Sequence, residues 1–365
     1  MNQQFWRDKR ILITGHTGFK GSWLSVWLQM MGADVIGYAL SPPTPCNLFE
    51  SARIAEKICS YHGDILDLVL LQQVLNDNKP EIIFHMAAQS LVQASYVDPV
   101  NTYATNVMGT VHLLEAARHT PSVKAIVNIT SDKCYENREW LWGYREHDAL
   151  GGYDPYSNSK GCSELVSTAF RSSYFNPNTY EQHGVALATA RAGNVIGGGD
   201  YATNRLIPDI LAAFQSKTRI TIRNPHSIRP WQHVLEPLRG YLVLAEKLYE
   251  QGPRFAEAWN FGPIDDEAKS VSWIVQRMIE LYDEDVSWEI DEQQHPHEAH
   301  HLKLDISKSI SHLNWKPILT LDETLQLVMD WFNQLQKGAD PRHIMEKQLD
   351  DYIQQTIYSG KLGCN

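Results

Sequence analysis

The chain has 365 residues, of which 43% are hydrophobic, and a formal net charge of −11 at pH 7. That balance argues against a general binder of nucleic acid or anionic membrane, while leaving room for a local basic pocket. The longest apolar runs are too short to span a bilayer, residues Met1 to Arg10 lack the apolar centre of a signal peptide, and the odd cysteines Cys46, Cys59, Cys134, Cys162 and Cys364 suit a reducing cytoplasm with no disulfide framework.

Arg10 to Thr14 predicts a strand, Gly15 a tight turn, and the amphipathic stretch to Met31 a helix. Asp34 to Leu40 is the second expected strand and Ile58 to His62 the third, followed by a helix through Leu75. Glu81 to Met86 predicts a fourth strand, Asn101 to His119 one long helix, and Val123 to Ile129 a fifth strand. Strands alternating with helices imply right-handed crossovers and a parallel sheet, hence an α/β chain with a Rossmann-type doubly wound sheet. After about residue 190 the pattern turns to loops rich in Gly, Asn, Pro and Arg, with helices near 204–216, 236–250, 270–283 and 320–336. That part reads as a smaller C-terminal lobe. The tail from 338 is polar, with a further helix expected at 341–357.

Gly15-His16-Thr17-Gly18-Phe19-Lys20-Gly21 joins the first strand to the first helix. Glycine lets the backbone approach a pyrophosphate, and a helix N-terminus offers free N–H groups at the positive end of its dipole. The spacing is Gly-x-x-Gly-x-x-Gly, and its strand-turn-helix setting predicts a dinucleotide site. No acidic residue closes the second strand, which reads Tyr38-Ala39-Leu40-Ser41, so these residues do not choose between NAD and NADP. His16 is bulky for a position hugging a cofactor. Further on, Tyr156 and Lys160 stand one helical turn apart on one face. A phenol has a pKa of about 10, and the neighbouring ammonium is expected to favour the phenolate, making Tyr156 a base for a substrate hydroxyl.

With these motifs, His62-Gly63-Asp64-Ile65, His85-Met86-Ala87-Ala88-Gln89, Asn106, Arg191-Ala192-Gly193-Asn194-Val195 and Arg229-Pro230-Trp231 make the sequence resemble the extended short-chain dehydrogenases/reductases over nearly its whole length. The resemblance implies NAD as cofactor. It would be held by Gly15, His16, Thr17, Gly18, Phe19, Lys20 and Gly21, by Asp64 and Ile65 at the adenine, and by Ala87, Ala88, Gln89 and Asn106, with the pair Tyr156 and Lys160 in contact with it. Asn194 and Arg229 are expected at a sugar-nucleotide diphosphate, their plainer readings being a turn and a surface ion pair. Arg191 ends a strand and either joins them or bridges helices. Ser90, Ser131 and Arg205 are further substrate candidates, and the resemblance puts His297 at the rim of the nucleotide pocket. The division expected is an NAD-binding domain over 1–190, a nucleotide-sugar lobe over 191–337 with some chain returning to the first domain near 225–265, and a tail over 338–365. Family members commonly pair through two helices, here roughly 101–118 and 157–174, which implies a homodimer or higher homo-oligomer.

Thr130-Ser131-Asp132-Lys133-Cys134-Tyr135 narrows the chemistry. In sugar-nucleotide epimerases the residues after the fifth-strand Ser or Thr do not ionise; in 4,6-dehydratases they are an acid and a base. Asp132-Lys133, with Glu136 to Arg145, Pro155 to Leu165 and Glu298 to Asp305, resembles the branch acting on CDP-glucose, early in bacterial 3,6-dideoxyhexose synthesis for lipopolysaccharide O-antigen. The implied reaction is loss of water. Tyr156, with Lys160 and Ser131, takes the C4 hydroxyl proton while hydride passes to NAD. The new ketone acidifies C5, Lys133 removes that proton, Asp132 protonates the departing C6 oxygen, and the hydride returns to C6. Lys133 could instead merely hold Asp132 in an ion pair. Cys134 and Tyr135 read as strand packing. The alternatives are another sugar-nucleotide dehydratase, a 4-epimerase, against which Asp132 argues, or a catalytically silent NAD-binding regulator. His297-Glu298-Ala299-His300-His301 formally matches a zinc pattern, but Pro296 and the alternation of Leu302, Leu304 and Ile306 oppose the long helix it needs, so no metal is expected.

Overall fold

The computed structural model describes residues 2–284, 286–291, 293 and 301–362. Its centre is a parallel sheet of seven strands. Strands β1 (Arg10–Thr14), β2 (Asp34–Ala39), β3 (Cys59–His62), β4 (Ile82–His85), β5 (Ala125–Ile129) and β6 (Ala186–Ala192) are joined by a closing strand, Ala258–Phe261, that pairs with β6. From one edge the order is β3-β2-β1-β4-β5-β6 and then the closing strand. The order reverses between β1 and β4, so the crevice beyond their carboxyl ends is where such sheets place ligands. The inner strands β4, β5 and β6 are buried along their whole length and mostly apolar because helices cover both faces. Trp6, Trp23, Trp27, Leu238, Tyr241 and Trp315 fill one side, and Leu71, Leu75, Leu113, Leu114 and Phe175 the other.

A third apolar cluster lies among the helices Leu206–Ser216, Val271–Tyr282 and Leu321–Gln336, around Ile210, Phe214, Ile274, Met278 and Leu325. Beside it Ile220–Ile222 pairs in parallel with Trp288–Ile290.

The long helix expected over Asn101 to His119 is not regular. Pro99–Tyr103 and Gly109–Arg118 are α-helical, but Ala104–Met108 between them is a π segment. The wider turn carries Asn106 inward, as described below. The C-terminal helix begins where expected, at Pro341, and runs to Leu362. It lies against the helix Phe19–Met30, with the Trp27 and Tyr352 rings edge to face at 5.8 Å. Among the described residues no helix is long and apolar enough to cross a membrane.

Candidate active site

The glycine loop is shaped by close approach. Gly15 has φ +77°, and a Cβ there would lie 2.7 Å from the Ala87 nitrogen. A Cβ on Gly21 would lie 2.2 Å from the Gly15 carbonyl oxygen. The helix Phe19–Met30 starts at Gly18 with no side-chain cap, so its first N–H groups are left for an anion. The Thr14 hydroxyl holds the opposite wall by accepting the backbone N–H groups of Met86 (3.1 Å) and Ala87 (3.2 Å). These observations fit a pyrophosphate, and hence the dinucleotide site expected from the sequence.

His16 does not crowd that cradle. Its ring turns over Gly37, where a Cβ would sit 2.4 Å from it, and Nε2 pairs with the Ser60 hydroxyl at 2.7 Å. Burial pushes its pKa down to about 4, so it is neutral. Thr17 donates to the Leu40 carbonyl at 2.9 Å and closes the loop onto the same strand end. Of the two residues expected at the adenine, Asp64 accepts the Leu66 N–H at 2.9 Å and Ile65 is buried.

The π segment gives Asn106 three partners: it accepts the Gln89 N–H, and donates to the Gln89 carbonyl and the Ser159 hydroxyl, each at 2.9 Å. It thereby ties the segment after β4 (Ala87, Ala88, Gln89) to the helix Pro155–Ser173 that carries Tyr156 and Lys160.

Behind β5 a short 3-10 turn, Asp132–Cys134, is capped by Ser131. The Ser131 Oγ accepts the Lys133 N–H at 3.2 Å and donates to Asp132 Oδ1 at 3.0 Å. Asp132 is only 2% exposed, and its Oδ2 has no hydrogen-bond partner. A buried carboxylate oxygen left unpaired is costly and marks a place awaiting a polar group. Gly193 makes room for it, since a Cβ there would fall 1.9 Å from Oδ2. Lys133 is half-buried, and among the described residues no ion pair joins it to Asp132.

Tyr156 and Lys160 lie together beside Ser131, but the expected electrostatics are reversed. Burial pushes the Tyr156 phenol up to about 12, opposed in part by the neighbouring Ser131 hydroxyl. The Lys160 ammonium donates to the Ile129 carbonyl at 3.3 Å, and burial lowers it to about 8. In a dry pocket the desolvation of the phenolate outweighs a cation whose own charge is suppressed. Lys20 adds a further cation. Its ammonium stands 5.8 Å from the centre of the Tyr241 ring, and burial with the positive Lys160 and Arg205 brings it down to about 7, against the pull of Asp132.

Arg191 is structural. It is 3% exposed and donates to Glu164 (2.8 Å) and to the Tyr135 hydroxyl (2.7 Å), bridging strand to helix beneath the site. Burial raises the Glu164 carboxyl, but Arg191, Thr130 and Thr189 outweigh it and hold it below its ordinary value. Cys134 and Tyr135 are packed in the core. At the mouth Arg205 donates to Asp200 (3.0 Å) and to the Ser90 hydroxyl (3.1 Å), so these two substrate candidates meet. Asn194 adopts φ +43° and its carbonyl accepts the Gln232 N–H at 3.2 Å. Arg229 is buried on the strand Ile228–Arg229. His297, like most of the His297 to His301 run, lies outside the described residues.

Two neighbours escape sequence reasoning. Tyr241 is fully buried with an unpaired hydroxyl and lies close enough to Tyr156 and Asp132 for both to raise its pKa further, after burial. Nothing in its amphipathic helix, Leu235–Gln251, distinguishes it from a core residue. Gly193 sits in a motif that draws attention only to its neighbour Asn194.

The family model of GDP-mannose 4,6 dehydratase matches residues 12–328. The chain is 57% identical to a CDP-glucose 4,6-dehydratase of Salmonella typhimurium, over 98% of this chain and 99% of the relative. It is 25% identical to a dTDP-glucose 4,6-dehydratase of Escherichia coli, over 96% and 99%. Among solved structures it shares the fold of the dTDP-glucose 4,6-dehydratase of Bacillus anthracis in complex with NAD, at a TM-score of 0.73 and 23% identity over 92% of this chain and 99% of that one. It shares the fold of the UDP-glucuronic acid 4-epimerase of Bacillus cereus at 0.77 and 22%, over 89% and 99%. With its glycine cradle, its Tyr156-Lys160 pair and this extent of similarity, the chain belongs to the GDP-mannose 4,6 dehydratase family, within the extended short-chain dehydrogenases/reductases.

Proposed function

We propose that the chain is a hydro-lyase that uses bound NAD to convert CDP-glucose to CDP-4-dehydro-6-deoxyglucose. The observation that carries this reading is Asp132: a buried acid beside Tyr156, with one oxygen unpaired and a glycine opposite it. An epimerase needs the tyrosine and lysine but has no use for that oxygen. The 57% identity to the Salmonella enzyme supports CDP-glucose as the substrate.

NAD, when bound, accepts a hydride from C4 and returns it to C6, and its positive charge offsets the burial that disfavours the Tyr156 phenolate. Gly15 to Gly21 would hold its pyrophosphate, Asp64 and Ile65 its adenine, and Ala87 to Gln89 the wall behind it. Tyr156 takes the C4 hydroxyl proton. Lys133, not engaged with Asp132, takes the C5 proton. Asp132 gives a proton from Oδ2 to the C6 oxygen as it leaves as water. Arg205, Ser90, Asn194 and Arg229 would contact the nucleotide sugar at the mouth, with His297 at its rim. The net charge, the absence of a spanning helix among the described residues and the sugar-nucleotide substrate suit a cytoplasmic enzyme that supplies dideoxysugars for lipopolysaccharide O-antigen. Exposed Val100, Met108 and Leu165 on the helices flanking the active site support pairing of two copies there.

The test is incubation with NAD and, separately, CDP-, dTDP-, GDP- and UDP-glucose, with mass spectrometry for a product lighter by one water. Product from CDP-glucose is expected; its absence there would overturn the reading.

A further inference from the structure

Thr14 is fully buried at the carboxyl end of β1, and three groups meet at its hydroxyl. Two are backbone donors: the Met86 N–H at 3.1 Å, shared with the Thr14 carbonyl, and the Ala87 N–H at 3.2 Å. The third is Nδ1 of His85 at 2.7 Å. A hydroxyl has one proton and two lone pairs. The two N–H groups take the lone pairs, so the proton goes to His85, and Nδ1 is the bare nitrogen of the ring.

The far side of the ring is fixed in the same way. Nε2 faces the Thr110 hydroxyl at 3.4 Å. Thr110 gives its own proton to the Asn106 carbonyl at 2.7 Å, because a carbonyl only accepts. Its oxygen therefore accepts, from Nε2–H of His85 and from the Ser163 hydroxyl at 2.9 Å. The tautomer of a histidine is set by the partner of each nitrogen, and here the chain of partners ends on a carbonyl of the π segment Ala104–Met108. His85 is buried, and burial together with the nearby Lys160 holds its pKa down to about 3, so the ring stays neutral as both contacts require. What the ring steadies is the wall of the cradle. The Ala87 nitrogen bonded to Thr14 is the atom that a Cβ on Gly15 would approach to 2.7 Å. Without an acceptor at Nδ1 the Thr14 hydroxyl is free to rotate, and its lone pairs no longer stay on the two N–H groups.

We propose that His85 is a positioning residue of the cofactor site: in the tautomer imposed by Thr110 it locks the Thr14 hydroxyl, so that Met86 and Ala87 stand as a fixed wall opposite the glycine loop. The proposal rests on that loop holding NAD and not on which sugar nucleotide is consumed. Its test is calorimetric titration with NAD of the wild type, His85→Asn, His85→Gln, Thr14→Ser and Thr14→Val, with urea unfolding of each. The Asn amide places its oxygen near the position of Nδ1, and Thr14→Ser keeps the hydroxyl, so both should bind NAD within about threefold of the wild type. His85→Gln, whose amide extends toward Thr110 and leaves Thr14 without its acceptor, should raise the Kd roughly tenfold, as should Thr14→Val. Both losses act through one hydrogen bond, so the double variant Thr14→Val/His85→Gln should bind within about twofold of Thr14→Val alone. In the histidine-labelled wild type, nitrogen NMR should show a neutral ring protonated at Nε2 and bare at Nδ1. Equal affinities for His85→Asn and His85→Gln, losses that multiply in the double variant, or a His85 ring protonated at Nδ1 would each overturn the proposal and leave the NAD site and the dehydratase reading intact. A wild type that does not bind NAD would remove the site itself.

Discussion

Gly193 and Asp132 show how a single residue position is decided by its neighbour. Asp132 stands out in the sequence because it ionises and follows the fifth strand. Gly193 does not, because its role is to be absent from a volume that only the packed sheet defines: a methyl group there would overlap Oδ2 at 1.9 Å. Gly193→Ala is expected to displace the carboxyl by about 1 Å and lower kcat by roughly 100-fold. Circular dichroism and the unfolding midpoint should stay near wild type, and steady-state rates with CDP-glucose check the loss. The Tyr156-Lys160 pair is legible from spacing alone, since i and i+4 share a helix face. Its electrostatics are not. Whether the ammonium or the burial governs the phenol depends on how dry the pocket is, and here burial governs.

Among the elements, the first five strands and most helices follow from apolar pattern, with most ends within a residue or two of expectation; the helix after β3 runs three residues past Leu75, the C-terminal helix runs five residues past 357, and the closing strand Ala258–Phe261 was not expected. The π segment at Ala104–Met108 is the main departure. Its residues have ordinary helical character, and the widened turn exists because Asn106 reaches Gln89 on one side and Ser159 on the other. Such segments often mark functional sites. Asn106→Ala would leave the half-buried Gln89 N–H and carbonyl and the buried Ser159 hydroxyl without this partner, at a cost of about 1–3 kcal/mol. Urea unfolding should show that loss, and NAD titration should show weaker binding because the wall after β4 is no longer tied down. The C-terminal helix is likewise more than a polar tail. Tyr352 donates to Glu236 at 2.8 Å and accepts from Arg239 at 2.9 Å, while Glu236 also accepts the Ile318 and Leu319 N–H groups. Tyr352→Phe leaves this buried charged group partly unpaired and should destabilise the protein by about 1–3 kcal/mol, again read by urea unfolding. The sequence shows the helix but not its docking, because the partners lie more than a hundred residues away.

At the scale of the whole molecule, burial sets the response to acid. The folded protein holds His16 down to about 4, and His85 and His233 down to about 3, chiefly by desolvation. Below about pH 6.5 an unfolded chain protonates all three, whereas the folded one does not. The unfolded state then binds more protons, so stability falls as pH drops from 6.5 toward 4, by about 1.4 kcal/mol per pH unit for each histidine. Thermal unfolding midpoints at pH 7 and pH 5 check this, with the lower value expected at pH 5; equal midpoints would contradict it. The sequence by itself determined the parallel sheet, the glycine cradle and the acid following the fifth strand, because these depend on local periodicity and on residue types at short spacing. Only the tertiary structure decided that Arg191 serves the core, that His16 turns away from the glycine loop onto Gly37 and Ser60, and that Gly193 leaves the space beside the Asp132 carboxyl. Those outcomes depend on which distant side chains share a dry space, and neither periodicity nor spacing records that.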